Sequence, residues 1–325
     1  MRILSGIQPT GSIHIGSYLG AISQWKELQK MGECVFFIAD LHALTVPQDP
    51  KEFYKNTLET ATELLAVGLE PEKCIIFVQS QIKEHTELAW IFNTLTPIGE
   101  LERMTQYKEK SKSFKNNINA GLLTYPILQA ADILLYQTES VPVGQDQKQH
   151  LELTKTIARK FNQKYGKTFK VPEAIILDTG AKIMDLNNPK KKMSKSLPQT
   201  CLYVFDEPEI IKKKIMSAVT DTGKVIKYDP IKKPGISNLL TIYSMFSGKP
   251  LAQVQKKFSQ KGYAEFKKSL AELLILNLEP FRKKKKELTV REVYVKEILE
   301  QGRKRAEAIA QSTIQDVRKK LGLLI

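Results

Sequence analysis

Short, nearly unbroken apolar runs alternate with longer stretches of helical periodicity over the first ~100 residues, and this pattern limits the fold more than any other feature. Met1–Ile7, Cys34–Leu41 and Ile75–Val78 read as strands, and runs without polar alternation are those of strands covered on both faces. Between them, Gln8-Pro9-Thr10-Gly11 is a turn. Ile13–Lys30 carries Ile15, Leu19, Ile22, Trp25 and Leu28 at helix spacing, and Phe53–Val67 is a helix ended by Gly68. The order predicts an α/β chain built on a Rossmann-like, doubly wound parallel sheet.

Farther along, Glu84–Gln137 is mostly helical, interrupted by the polar stretch Lys108–Asn119, which reads as a mobile loop. A short β segment at Val141–Val143 leads into Gly144-Gln145-Asp146-Gln147 and a helix through Leu151, Ile157 and Phe161. Ile175–Leu177 and Ile183–Leu186 are short extended pieces. Beyond Glu207 the chain is helical, with breaks expected at Lys232–Gly235, Gly248–Pro250 and Leu278–Pro280. These boundaries predict a catalytic domain over 1–200, with an inserted, mostly helical segment at about 100–170 and a lysine-rich loop at 190–197, followed by an α-helical C-terminal domain over 201–325.

Charge divides along a similar line. Residues 1–180 hold 19 basic and 20 acidic side chains, whereas 181–325 hold 31 and 15, so a neutral part precedes one of net charge +16. A strongly cationic helical part suits a polyanion, and nucleic acid is the commonest. No apolar run approaches the ~20 residues of a membrane span, and Ile3–Ile7 is too short for a signal peptide, so a cytoplasmic location is expected. The three cysteines, Cys34, Cys74 and Cys201, have the spacing of neither a disulfide framework nor a zinc knuckle, and no structural metal is expected.

Neither a P-loop nor a GxGxxG fingerprint follows the first strand. Instead Pro9-Thr10-Gly11-Ser12-Ile13-His14-Ile15-Gly16-Ser17 places an imidazole beside a tight turn and an expected helix N-terminus, a combination that suits a phosphate. Far downstream, Lys192-Met193-Ser194-Lys195-Ser196 sets two lysines three apart with hydroxyls between, able to surround a polyphosphate from one side. Together the two motifs resemble the signatures of class I aminoacyl-tRNA synthetases. Gly6–Gly11, Gly16–Ala21, Gly99–Gln106, Gly121–Pro126, Ala130–Tyr136, Val141–Gly144, Asp146–His150 and Lys233–Asn238 extend the resemblance to the bacterial-type tryptophanyl-tRNA synthetases, thinning over the last ~80 residues.

The resemblance implies activation of L-tryptophan by Mg-ATP to tryptophanyl-adenylate, then transfer to tRNA(Trp), by a homodimer with no membrane association. It implies ATP contacts from Gln8, Pro9, Thr10, Gly16, Ser17, Gly144, Gln145, Asp146, Ile183, Met193, Ser194 and Ser196. His14 would sit near the α-phosphate, with Lys192 and Lys195 on the departing pyrophosphate and Lys110 also reaching the phosphates, where Lys112 and Lys115 compete with it. Asp132, flanked by apolar residues, would be costly to bury unpaired, and the resemblance makes it the acceptor of the indole N–H. Val141 and Val143 would line the indole slot, and Tyr125 and Gln147 would hold the α-amino group. Four positions depart from the pattern. His14 stands where threonine is common, Ser17 where the signature has histidine or asparagine, Gln129 where methionine packs on the indole, and Leu4 where an aromatic is common. The tyrosine-specific sister family is the nearest rival, followed by a small nucleotidyltransferase and a non-catalytic nucleic-acid binder.

Overall fold

The apolar runs pair as parallel strands in the computed structural model, which describes residues 1–113, 118–144, 147–175, 182–195, 197–223 and 225–324, without the side chains of Glu109, Lys110, Lys112 and Ser113. β1 (Arg2–Ile7), β2 (Glu33–Ile38) and β3 (Cys74–Val78) are joined by β4 (Ser140–Pro142) and β5 (Glu173–Ile175) in the order β3-β2-β1-β4-β5, every pair parallel. All of β3 and all of β2 but Glu33 are buried, which explains the missing polar alternation. Chain order reverses at β1, so the carboxyl ends of β1 and β4 flank the switch point where open α/β sheets place ligands. Gln8–Thr10 and Val143–Gly144 follow those two ends. Gly6 is required within β1, since a Cβ there would meet the Phe37 ring at 2.6 Å.

The expected helix over Ile13–Lys30 is broken into α1 (Ile15–Ser17), a π-type turn at Tyr18–Ile22, and α2 (Ser23–Leu28). Its apolar face survives the break, because Leu19, Ile22, Trp25 and Leu28 are all buried. After α3 (Asp40–Ala43) comes α4 (Pro50–Ala66), which starts where the Asp49 carboxylate accepts the N–H groups of Lys51 and Glu52 and ends before Gly68 at φ +106°. α5 (Glu84–Asn93) and α6 (Ile98–Glu102) precede α7 (Thr105–Ser113), which takes up the first half of the stretch expected to be a loop. Lysine, glutamate and glutamine are good helix formers, and polarity alone does not make a loop. Asn119 caps α8 (Ala120–Leu135), and α9 (Lys148–Tyr165) follows β4.

In the C-terminal part come α10 (Pro208–Ser217), α11 (Pro234–Ser247), α12 (Leu251–Phe258), α13 (Tyr263–Thr289) and α14 (Glu292–Leu321). The breaks around Pro234 and Gly248 are present. The one expected at Leu278–Pro280 is not: α13 runs through Pro280, held by buried Leu270, Leu274, Leu278 and Leu288. The missing N–H removes one helical bond, which that packing outweighs.

Two compact units emerge, one of Met1–Thr10, Trp25–Leu177 and Arg291–Ile325, the other of Gly11–Gln24 and Asp178–Val290. This partition does not follow residue 200. The first unit holds the sheet, and α14 returns to it: a Cβ on Gly302 would lie 1.8 Å from the Ile76 carbonyl oxygen, Arg305 donates to the carbonyls of Pro71 and Cys74, and Arg318 pairs with Glu87 through two bonds of 2.6 and 2.8 Å. Gly302→Ala therefore forces α14 off β3 and is expected to lower stability by about 1–3 kcal/mol in denaturant unfolding; an unchanged midpoint contradicts the close approach.

Candidate active site

In the first unit, α8 carries Asp132 into the core, where it is fully buried, as are its chain neighbours Ala130, Ala131, Ile133 and Leu134. A carboxylate in that setting needs donors, and three elements supply them. Oδ1 accepts from Gln79 Nε2 at 2.7 Å, just after β3, and from His85 Nδ1 at 2.6 Å, on α5. Oδ2 accepts from His42 Nε2 at 2.7 Å, on α3. Burial pushes the carboxyl up, but His42 and His85 outweigh it and hold it at about 2. Asp132 is thus an ionised acceptor already paired by protein donors, whereas its sequence setting alone suggested a group needing a ligand to satisfy it. His42, His85 and Gln79 carry no mark of this in their spacing. The available signal was that a buried imidazole requires partners, and the chain's four histidines are each no more than 8% exposed.

The same unit holds the other residues expected at an amino-acid pocket. Tyr125, buried on α8, shares a 2.9 Å hydrogen bond with His150 Nε2 on α9. Gln129 lies one turn before Asp132 and donates to Gln147 Oε1 at 3.3 Å, so the amide that replaces a common methionine has an amide partner. Leu4, Val141 and Val143 are buried in one apolar cluster with Phe37 and Ala39. Thr10 N–H bonds to the Gln8 carbonyl in the expected tight turn. Gln145, Asp146, Lys115 and Ser196 lie outside the described residues, as do the side chains of Lys110 and Lys112.

The second unit assembles the other motifs. Ile15 N–H bonds to the Leu202 carbonyl and Val204 N–H to that of Ile13, which fixes His14 in an antiparallel bridge with Tyr203. The His14 ring caps α1: Nδ1 accepts the Ser17 N–H at 3.2 Å, and Nε2, which then carries the proton, lies 2.8 Å from the Ser17 hydroxyl. The two departures from the signature are therefore bonded to each other. This also changes an expectation, since α1 is three residues long and the Ser17 N–H is taken up by the imidazole rather than open to an anion.

The lysine loop is anchored by Asp185, whose Oδ1 accepts from the N–H groups of Asn187 and Asn188, and by the Met193 N–H bonded to the Ile183 carbonyl. Lys195 Nζ donates to the Gly11 carbonyl at 2.5 Å. Gly16 allows the close approach: a Cβ there would sit 3.0 Å from His14 Nδ1 and 3.6 Å from Ile183 Cβ. Burial first, then the charges of Lys195 and Lys192, lower the His14 pKa to about 4. Imidazole and both ammonium groups thus share one electrostatic neighbourhood.

Comparison with known proteins shows the family. The family model described as tRNA synthetases class I (W and Y) matches residues 1–279. A tryptophan–tRNA ligase of Caldanaerobacter subterraneus subsp. tengcongensis is 52% identical over all of this chain and 99% of its own length. The chain belongs to the class I tRNA synthetases of the tryptophan and tyrosine group. Among solved synthetases, tryptophanyl-tRNA synthetase from Mycoplasma pneumoniae superposes with a TM-score of 0.89 at 36% identity, covering 99% of this chain and 98% of that one. The Campylobacter jejuni enzyme, complexed with ADP and tryptophan, superposes at 0.86 with 38% identity, covering 99% and 100%.

Within this synthetase, no group of three His, Cys, Asp or Glu side chains among the described residues is arranged to hold a metal ion, and no described helix is long and apolar enough to cross a membrane. The His14 value makes a direct prediction. With a folded value near 4 against an ordinary 6.5, the unfolded chain takes up the proton first, so stability associated with His14 is complete above pH 6.5 and is lost as the pH falls toward 4. NMR titration is expected to place the folded ring's midpoint near 4, and Lys195→Met to raise it. A native midpoint near 6.5 contradicts the burial of the ring, and a midpoint unmoved by Lys195→Met contradicts the proximity of that lysine.

Proposed function

We propose that the chain is a tryptophan–tRNA ligase, which joins L-tryptophan to ATP as tryptophanyl-adenylate and then passes the tryptophanyl group to tRNA(Trp). The observation that carries this reading is 52% identity along the whole length to a tryptophan–tRNA ligase, in a chain whose buried His14 feels the charges of Lys195 and Lys192 and whose Lys195 bonds to the Gly11 carbonyl. The same identity favours tryptophan over the tyrosine-specific alternative.

In the activation step a tryptophan carboxylate oxygen forms a bond to the α-phosphorus, and the bond from that phosphorus to the bridging oxygen breaks to release pyrophosphate. No protein nucleophile takes part. Catalysis of such a step rests on positioning and on charge stabilisation in the transition state. Lys192 and Lys195 neutralise the negative charge that grows on pyrophosphate, and Lys195 exchanges its bond with the Gly11 carbonyl for one with phosphate oxygen. His14, neutral at pH 7 and bonded to Ser17 through both ring nitrogens, fixes the start of α1 near the α-phosphate rather than supplying a proton or a charge. Lys110 would add to the phosphate contacts. Gln8–Thr10, Gly16, Ser17 and Gly144–Asp146 hold the nucleotide together with Ser194, Ser196 and the backbone of Ile183 and Met193. Mg2+ enters as part of the Mg-ATP substrate.

For the amino acid, Asp132 accepts the indole N–H between Val141 and Val143, with Leu4 and Gln129 completing the slot. Tyr125, oriented by His150, and Gln147 receive the α-amino group. The cationic helices of 201–325 serve as the tRNA surface, in a cytoplasmic homodimer. In ATP–pyrophosphate exchange, tryptophan and not tyrosine should support turnover. Lys195→Ala is expected to lower adenylate formation by ~10² or more with tryptophan binding retained, because the lost contact strengthens in the transition state. Exchange with tyrosine alone, or a raised tryptophan KM at native turnover in Lys195→Ala, contradicts the assignment.

A further inference from the structure

Among the described residues, the three donors to Asp132 are divided unequally between its oxygens. A carboxylate oxygen has about two acceptor directions. Oδ1 uses both, on Gln79 Nε2 and His85 Nδ1, while Oδ2 meets the single donor His42 Nε2. We propose that His85 is a positioning residue for substrate selection: with Gln79 it saturates Oδ1, locks the carboxylate against rotation, and leaves one free direction on Oδ2 as the acceptor offered to the substrate. This rests on the reading of Asp132 as the indole acceptor.

The lock extends one residue farther. Asp132 is ionised and cannot donate, so His85 Nδ1 must carry the hydrogen of the 2.6 Å bond. On the far side of the ring Nε2 is hydrogen-bonded to the buried Tyr136 hydroxyl, 2.8 Å away. Tyr136 holds the ring from one side, and the ring holds the carboxylate from the other. The imidazole itself has no room to turn, being fully buried with the rings of Phe37, Phe77 and Tyr136 at centroid distances of 6.1, 6.0 and 5.4 Å. The hydrogens on Gln79 Nε2, His85 Nδ1 and His42 Nε2 that point at Asp132 are all consumed by it. What the cluster presents is therefore an acceptor, so a ligand with N–H at that place gains a charge-assisted bond. A ligand with a bare oxygen there faces a carboxylate instead.

Two substitutions separate the ring's functions, because asparagine carries its amide nitrogen near the place of Nδ1 and glutamine near that of Nε2. In ATP–pyrophosphate exchange, His85→Gln is expected to raise the tryptophan KM by about 10-fold or more, with kcat and the ATP KM held within a factor of about 3. His85→Asn, which restores the donor to Oδ1, is expected to recover most of that loss. Tyr136→Phe keeps the packing and removes the bond to His85 Nε2, and should raise the tryptophan KM by a few-fold with kcat unchanged.

A native tryptophan KM in His85→Gln overturns the proposal, as does equal loss of kcat and of both KM values in His85→Gln and His85→Asn, which is what a purely structural ring would give. Should His85→Gln fail to melt cooperatively, Tyr136→Phe decides alone, and a native tryptophan KM there overturns the proposal. Asp132→Asn separates the two layers. A native tryptophan KM in that variant removes the reading of Asp132 itself, whereas a raised KM there beside a native one in His85→Gln removes only the role of His85.

Discussion

An ionised carboxylate sealed inside an apolar helix is the condition around which the first unit is organised. Leaving Asp132 unpaired in that interior would cost several kcal/mol, so the chain must bring donors to it from outside α8. They arrive from α3, from the end of β3 and from the start of α5, and each can reach only if the sheet and these helices hold their relative positions. Buried polar clusters of this kind are unforgiving, since a partly satisfied one is worse than none. The same donors that make the carboxylate tolerable also decide which of its oxygens has an acceptor direction to spare, and structural and chemical demands therefore meet in one group.

The second unit handles charge in the opposite way. There the imidazole is kept neutral by burial and by two nearby ammonium groups, and is tied into the backbone as the cap of α1. Positive charge is supplied by lysines on a turn that Asp185 secures, and Lys195 rests on a backbone carbonyl from which a phosphate oxygen can draw it away. For the pyrophosphate role proposed for these lysines, cations placed beforehand are an advantage, because no reorganisation is then needed as the charge develops.

How much of this was legible in the sequence follows from the range of the interactions. β1, β2 and β3 were readable because burial on both faces writes itself as local apolar runs, and His14 and the 192–196 motif because each is contiguous. Cases decided by competition were harder: α7 looks like a loop by polarity but is built from helix formers, and α13 crosses Pro280 because its packing outweighs one missing bond. Partners of Asp132 were out of reach, since Gln79, His85 and His42 lie 53, 47 and 90 residues away along the chain. The return of α14 to β3 was equally hidden. Its amphipathic pattern says that a face is buried but not against what, and only Gly302 hints at a backbone passing close by.

Equilibrium binding of L-tryptophan to the native protein, beside its benzofuran isostere in which oxygen replaces the indole N–H, probes the Asp132 frame without altering a residue. The shapes are nearly the same, and the isostere differs in having no hydrogen to give to Oδ2. Loss of a hydrogen bond to a charged group should weaken binding by about 10- to 100-fold, with ATP affinity unaffected. Equal affinity for the two ligands would mean that the buried carboxylate holds the fold together and takes no part in reading the indole.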